Sequence, residues 1–224
     1  DKLQHSVYRG DCIKCGQTLY NNFDFDQNNM SDVSNTGAGP RMLELQNGDF
    51  LVAFDDGTNN LMVTRSSDKG KTWSKDYWIV DSVDEKCLAA NTSLYQFENG
   101  DILCAYRVHG DTGKPGSNEQ KYVRKIICAI SKDNGYTWQY HSTIVDVYQM
   151  GLTNSKVNST IESLSSKWIG VYEPCFGEID GKLTVMYADD FSSKIKQGSN
   201  DHGSQLIQSC TWDPITSTWS SPNT

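Results

Sequence analysis

Glu173, in Gly170-Val-Tyr-Glu-Pro174, is the residue whose neighbours best suit it to acid–base or nucleophilic work. Proline biases the residue before it toward extended backbone. After the apolar pair Val171-Tyr172, the carboxylate is expected to project from the start of a strand. Arg41 and Asn91 stand at comparable places in two earlier segments. Three further polar groups close the strands that follow: Asp55-Asp56, Arg107-Val-His109 and Tyr187-Ala-Asp-Asp190. Singly, charged residues at strand ends are mostly solvated; their recurrence in three segments points to one shared polar cleft. His5 and His141 have no such placement and read as surface residues. No Ser/His/Asp triad, phosphate-cradling glycine loop or metal-ligand cluster is present, so no metal and no cofactor is expected.

The elements that must position these residues repeat along the chain. Arg41-Met-Leu-Glu-Leu-Gln-Asn-Gly-Asp-Phe-Leu-Val-Ala-Phe54 is matched by Ser93-Leu-Tyr-Gln-Phe-Glu-Asn-Gly-Asp-Ile-Leu-Cys-Ala-Tyr106. It is matched more loosely by Pro174-Cys-Phe-Gly-Glu-Ile-Asp-Gly-Lys-Leu-Thr-Val-Met-Tyr187. Asn-Gly or Asp-Gly between alternating apolar runs is a hairpin signal. A third strand follows in each segment (Leu61–Thr64, Ile126–Ile130, Ser204–Gln208), and then a turn ending in Trp. Two of these turns are intact Asp boxes, Ser66-x-Asp68-x-Gly70-x-Thr-Trp73 and Ser131-x-Asp133-x-Gly135-x-Thr-Trp138; the third, Asp213–Trp219, is degraded. In such a turn the aspartate accepts backbone N–H bonds, the glycine takes a left-handed conformation and the tryptophan packs between strands. Asp68 and Asp133 are therefore structural, not catalytic.

Units of three or four strands at so long a period predict propeller blades. The expected fold is all-β, a six-bladed sialidase-like β-propeller of which about three blades are present. The blades are placed at 38–82, 88–146 and 168–224, in a single propeller domain or part of one. Residues 1–37 precede them as an N-terminal segment with no assigned structure, and Asn158–Ser165 is set apart as one short helical turn.

Composition excludes several partners. The formal net charge is −8, and the longest basic stretch, Tyr122-Val-Arg-Lys125, falls inside a strand, so neither a nucleic acid nor a membrane is expected. No apolar run approaches the ~20 residues that span a bilayer. The six Trp and eleven Tyr suit aromatic packing in a β-fold and, secondarily, stacking on sugar rings. Seven cysteines leave at least one unpaired within the chain. Cys12-x-x-Cys15 lacks a second ligand pair for zinc and reads as a local disulfide or two separate thiols. Sequons at Asn29, Asn91 and Asn158 fit a secreted, extracellular protein.

The stretch Asn91…Leu103-Cys-Ala-Tyr-Arg-Val-His109…Tyr122-Val-Arg124…Ser131–Trp138, with Gly170–Pro174, Tyr187–Asp190 and His202-Gly, resembles glycoside hydrolase family 93. That family comprises six-bladed propellers acting as exo-α-1,5-L-arabinanases within the sialidase-like superfamily, and the resemblance runs from about Pro40 to Trp219. It implies a retaining glycosidase that releases sugars from an arabinan-type polysaccharide. Two carboxylates would be held ~5–5.5 Å apart, one as nucleophile and one as acid/base. Glu173 matches one of that pair. The resemblance also implies that Arg41, Asn91, Arg107, His109 and Arg124 line the sugar cleft, their guanidinium groups offering fixed donors to hydroxyls. Tyr187, Asp189 and His202 would flank it.

The second carboxylate is expected from a later blade, with Asp56 and Asp189 as the nearest substitutes here. The insert Asp189–Gly203 exceeds the compact family loop. Three blades cannot close a ring, so further blades are expected from a longer chain or a second copy. The alternatives are a non-catalytic carbohydrate-binding propeller, or a sialidase-like enzyme acting on a different glycan.

Overall fold

The computed structural model describes residues 10–11, 18–19, 31–57, 60–75, 78–82, 87–112, 121–147, 170–190 and 205–223. The chain divides into two compact units, Asp1–Ser31 and Asp32–Thr224. The described part of the first is one hairpin, β1 (Gly10–Asp11) with β2 (Thr18–Leu19). Asn158–Ser165, Cys12, Cys15 and the sequon asparagines Asn29 and Asn158 lie outside the described residues.

The second unit is built from three four-stranded antiparallel sheets, each a simple meander. The first is β3 (Ala38–Glu44), β4 (Phe50–Asp55), β5 (Asn60–Ser66) and β6 (Trp78–Ser82). The second is β7 (Cys87–Gln96), β8 (Ile102–Thr112), β9 (Lys121–Ser131) and β10 (Gln139–Asp146). The third is β11 (Val171–Ile179), β12 (Lys182–Asp189), β13 (Leu206–Asp213) and β14 (Thr218–Trp219). The first strands β3, β7 and β11 lie side by side, so each sheet is one blade and these strands line its inner edge. No helix among the described residues is long and apolar enough to cross a membrane.

Alternation along the strands makes both faces of the middle blade apolar. Ile102, Cys104 and Tyr106 of β8 pack with Leu51, Ala53, Leu61 and Val63 of blade 1. The intervening Leu103 and Ala105 face Leu183, Val185 and Tyr187 of blade 3. Cys87, Cys104, Cys128 and Cys210 are buried free thiols, and burial pushes those of Cys104 and Cys128 far above the usual range. Cys175 is free and exposed.

Each inner strand is broken at the same place. Ala38 pairs with Asp55 but Arg41 with Ala53; Ala90 pairs with Arg107 but Ser93 with Ala105; Tyr172 pairs with Ala188 but Cys175 with Met186. Two residues therefore oppose one, which defines a β-bulge. Gly39-Pro40 faces Phe54, Asn91-Thr92 faces Tyr106, and Glu173-Pro174 faces Tyr187, all three aromatics being buried. The first residue of every bulge is left-handed: Gly39 at φ 59°, Asn91 at 56° and Glu173 at 51°. The extended backbone expected for Glu173 from the following proline does not form. The bulge must turn the chain sharply enough to fit an extra residue, and that requirement prevails over the local preference.

The two octapeptide turns close in one manner. In the first, Asp68 accepts bonds from the N–H and hydroxyl of Thr72 (2.9 and 2.6 Å) and from the Ser66 hydroxyl, which hold its pKa down at about 2. In the second, burial opposes ionisation of Asp133, but bonds from Thr137, Ser131 and Tyr136 outweigh it and lower its pKa. The blade 2 turn also plugs the seam with blade 1. Arg65 donates to Asp49 at 2.7 Å and to the Asn134 carbonyl, and its guanidinium lies 4.5 Å from the centre of the Tyr136 ring. Blade 3 differs: β13 continues to Asp213, and Trp212 pairs directly with Trp219.

Arg65 is 7 % exposed, and removing it strands a mostly buried Asp49. Arg65→Met should cost about 3 kcal/mol in urea unfolding, because breaking a buried ion pair leaves its partner uncompensated. A loss below about 1 kcal/mol would show that the plug contributes little.

Candidate functional site

The three bulges bring their first residues together at the inner edge. Gly39 contributes no side chain, Asn91 an amide and Glu173 a carboxylate. Asn91 Nδ2 donates to Glu173 Oε1 at 2.5 Å, and Arg41 Nη2 donates to Oε2 at 3.5 Å. Both carboxylate oxygens are thus held by donors from other blades, while the Glu173 side chain stays 56 % exposed. Thr92, beside Asn91, is buried and donates to the Ala53 carbonyl at 3.2 Å, fastening the bulge to blade 1.

Arg107 is half-buried at the end of the next strand, opposite Ala90. Its guanidinium lies 5.2 Å from the centre of the Tyr172 ring. Asp55 is nearby: burial raises its pKa, against the opposing pull of backbone N–H bonds and of the Arg107 charge. Asp56 is turned to its own loop, accepting from Asn60 Nδ2 at 3.1 Å.

Other residues expected to line the cleft lie beneath it. His109 is buried, with Nε2 bonded to the Val171 carbonyl at 2.9 Å and its ring edge-on to Tyr172 at 4.9 Å. This grips the two residues that precede Glu173. The approach is open only because Gly170 has no Cβ, which would stand 2.5 Å from the His109 ring. Burial, aided by the charges of Arg107 and Arg124, lowers the His109 pKa to about 3, so the ring is neutral at pH 7. The Val171 carbonyl can only accept, so Nε2 carries the proton and donates to it. Arg124 is buried and donates from Nη1 to the carbonyls of Gly110 and Val123, both at 2.7 Å.

Tyr187 is not a cleft residue: it is 1 % exposed in the core between blades 2 and 3, supporting the bulge of Glu173 from below. Asp189 is likewise buried at 3 % exposure. The alternation of β12, with Leu183, Val185 and Tyr187 on one face, leaves these side chains no route to the cleft. His202 lies outside the described residues.

Sequence reasoning placed Asp55 at the cleft but missed Gly39 and the participation of Tyr172. Aligning Gly39-Pro40 with Glu173-Pro174 would have revealed the first. Three polar atoms here, Asn91 Oδ1, Arg107 Nε and His109 Nδ1, are buried with no hydrogen-bond partner. Native proteins rarely leave such groups unpaired, and each costs ~1–3 kcal/mol. Among the described residues no group of His, Cys, Asp and Glu is arranged to hold a metal ion.

By sequence, the chain matches no protein-family profile and no curated protein. Its fold matches solved structures. It is similar to the α-L-arabinanase of Penicillium chrysogenum complexed with arabinobiose, at TM-score 0.50 and 20% identity over 82% of this chain and 47% of that one. It is similar to a PL25 ulvan lyase bound to a GlcA(1-4)Rha3S unit, at TM-score 0.53 and 12% identity over 85% and 44%. A Hadza microbial sialidase gives TM-score 0.52 and 14% identity over 84% and 37%. The chain spans about half the length of these proteins, or less. At such identities the likeness shows the fold, a sialidase-like β-propeller present here in part, which agrees with the family 93 resemblance at the level of fold.

The left-handed backbone of Glu173 has a measurable cost. A non-glycine residue there is disfavoured by ~1–2 kcal/mol, so Glu173→Gly should be more stable than Glu173→Ala by about 1 kcal/mol in urea unfolding. Equal stabilities would contradict the bulge. His109 makes stability pH-dependent. Its folded pKa of about 3 lies below the ordinary ~6.5, so the unfolded chain takes up the proton first on acidification. Stability should be full above pH ~6.5 and be lost toward pH 3, with about 2 kcal/mol lost between pH 7 and 5. His109→Gln should flatten that slope; an unchanged slope would assign the effect elsewhere.

Proposed function

We propose that the chain supplies part of the catalytic cleft of a retaining glycoside hydrolase that releases sugars from an arabinan-type polysaccharide. The observation that carries this is Glu173: a solvent-accessible carboxylate on a strained bulge, gripped at one oxygen by Asn91 and at the other by Arg41. Donors on both oxygens fix the direction of the carboxylate. The arabinobiose complex of the similarly folded α-L-arabinanase supports a small furanose as the ligand. Glu173 is one of the two carboxylates, Arg41, Asn91 and Arg107 contact sugar hydroxyls, and His109 and Arg124 hold those groups in place. The protein acts outside the cell, where such polysaccharides occur.

A second reading, a carbohydrate-binding propeller without turnover, draws on the two acids nearest to a catalytic partner. Asp189 is buried and Asp56 is bonded to Asn60, so neither is free to flank a glycosidic bond opposite Glu173.

Hydrolysis and binding of an arabino-oligosaccharide, measured separately, divide the readings. Glu173→Gln should reduce turnover by about 10³-fold or more while changing affinity by less than about threefold. Turnover retained by that variant removes Glu173 from the mechanism. Turnover is measured in the protein with its ring complete. There, binding with no detectable hydrolysis favours the second reading, and affinity that this 224-residue chain lacks by itself counts against it.

A further inference from the structure

The seams between blades differ in one respect. The register makes Asp101 the counterpart of Asp49, Ile130 the counterpart of Arg65, and Trp212–Trp219 the counterpart of the Ser131–Trp138 turn. In the first seam a guanidinium fills the wedge, bonded to Asp49 and lying over Tyr136. In the second, isoleucine stands where the arginine would be, and the shortened turn packs its tryptophans on blade 2, Trp219 donating to the Ser142 hydroxyl at 2.9 Å. What remains is an open groove of about 1370 Å³ with Ile130 and Leu183 on its floor and Tyr95 and Trp212 among its walls.

The groove keeps the acidic half of the interaction. The Asp101 carboxylate accepts from Asn99 within its own turn, at 3.0 Å, and has no cationic partner among the described residues. Glu98, Asp213 and Glu178 also line the groove, Glu178 accepting from the Tyr95 hydroxyl at 2.5 Å. Lys182 is the one lysine or arginine among its described lining residues. Trp212 is half-buried, its ring 5.0 Å from that of His141, which is itself half-buried and not the surface residue expected from the sequence. Burial, with the charge of Lys132, lowers the His141 pKa, so this ring adds no positive charge. A carboxylate beside an aromatic face in a net-acidic groove is the combination that holds a guanidinium.

We propose that this groove, on the hairpin-turn side of blades 2 and 3 and apart from the Glu173 cleft, binds an arginine side chain of a polypeptide segment, which takes the place that Arg65 fills in the neighbouring seam. The molecule shows the pattern internally: the same fold position and an equivalent aspartate, which in the first seam is paired with a guanidinium. The volume admits the residues flanking that arginine as well.

The test titrates the chain with a capped glycine pentapeptide carrying a central arginine, followed by the fluorescence of Trp212 and by amide shifts of Asp101. The same peptide with citrulline, which keeps the shape and loses the charge, is the control. Binding should saturate, weaken about tenfold or more with citrulline, and weaken similarly in Asp101→Asn. Ile130→Arg, which restores the internal plug, should abolish binding and raise the melting temperature. If Ile130→Arg does not fold, Asp101→Asn, at a half-exposed turn position, still decides. Equal binding of arginine and citrulline peptides, no saturation, or saturation by an arabino-oligosaccharide in their place would overturn the proposal.

Discussion

The organisation of the cleft follows from the accounting of backbone hydrogen bonds in the innermost strands. Each of these is an edge strand, laddered to a neighbour on one side only, and on that side almost every N–H and C=O must be paired. Two residues set against one break that ladder, and the break is tolerable only where the freed groups meet a cleft. Placing it at the same level in β3, β7 and β11 converts three separate irregularities into one wall. Proline suits the second bulge position in two blades because it brings no N–H to be satisfied. In the remaining blade, buried Thr92 spends its hydroxyl on the neighbouring blade. An aromatic ring under each bulge fills the volume that the bent strand vacates.

Outside the inner edge, stability resides in the seams. A blade with two apolar faces gains little alone; stacking removes both from water. Because the sheets twist, adjacent blades diverge toward their turns and the wedge between them must be filled. The turn bearing Asp133 and the side chain of Arg65 do this by polar means, at a depth where a bare charge would be prohibitive. Several small bonds orient the turn, and one ion pair anchors it. The adjoining seam meets the same geometric demand with tryptophans and leaves space.

Much of this was legible in the residues. Asn-Gly and Asp-Gly pairs disclosed the hairpins, the Trp-terminated octapeptides the outer turns, and their repetition the all-β propeller. These signals are local: a left-handed glycine or an aspartate capping a turn acts within a few residues. Glu173, Asn91 and Arg41 could be proposed as neighbours because strand ends in successive blades converge. The left-handed backbone of Glu173 could not be read, because it is imposed by pairing across to β12 and opposes the bias of the following proline. Burial of His109, Arg124, Tyr187 and Asp189 was hidden for a related reason. Polar residues at a strand end look alike in sequence, whether they project into a cleft or lie under it. Only the register assigns Tyr187 to support and Asn91 to the surface.

The three bulge residues, Gly39, Asn91 and Glu173, also carry a history. Glycine and asparagine are the residues that a left-handed position accepts most readily, and glutamate before proline is among those it accepts least. Selection for folding alone would therefore let the third blade drift toward the solutions found in the first two. A glutamate there costs stability that glycine would not, so the reason for its place is to be sought in its carboxylate and not in the fold. Duplicated blades offer a setting for such a change: one copy of a permissive kink can be given over to chemistry while its siblings continue to hold the sheet together.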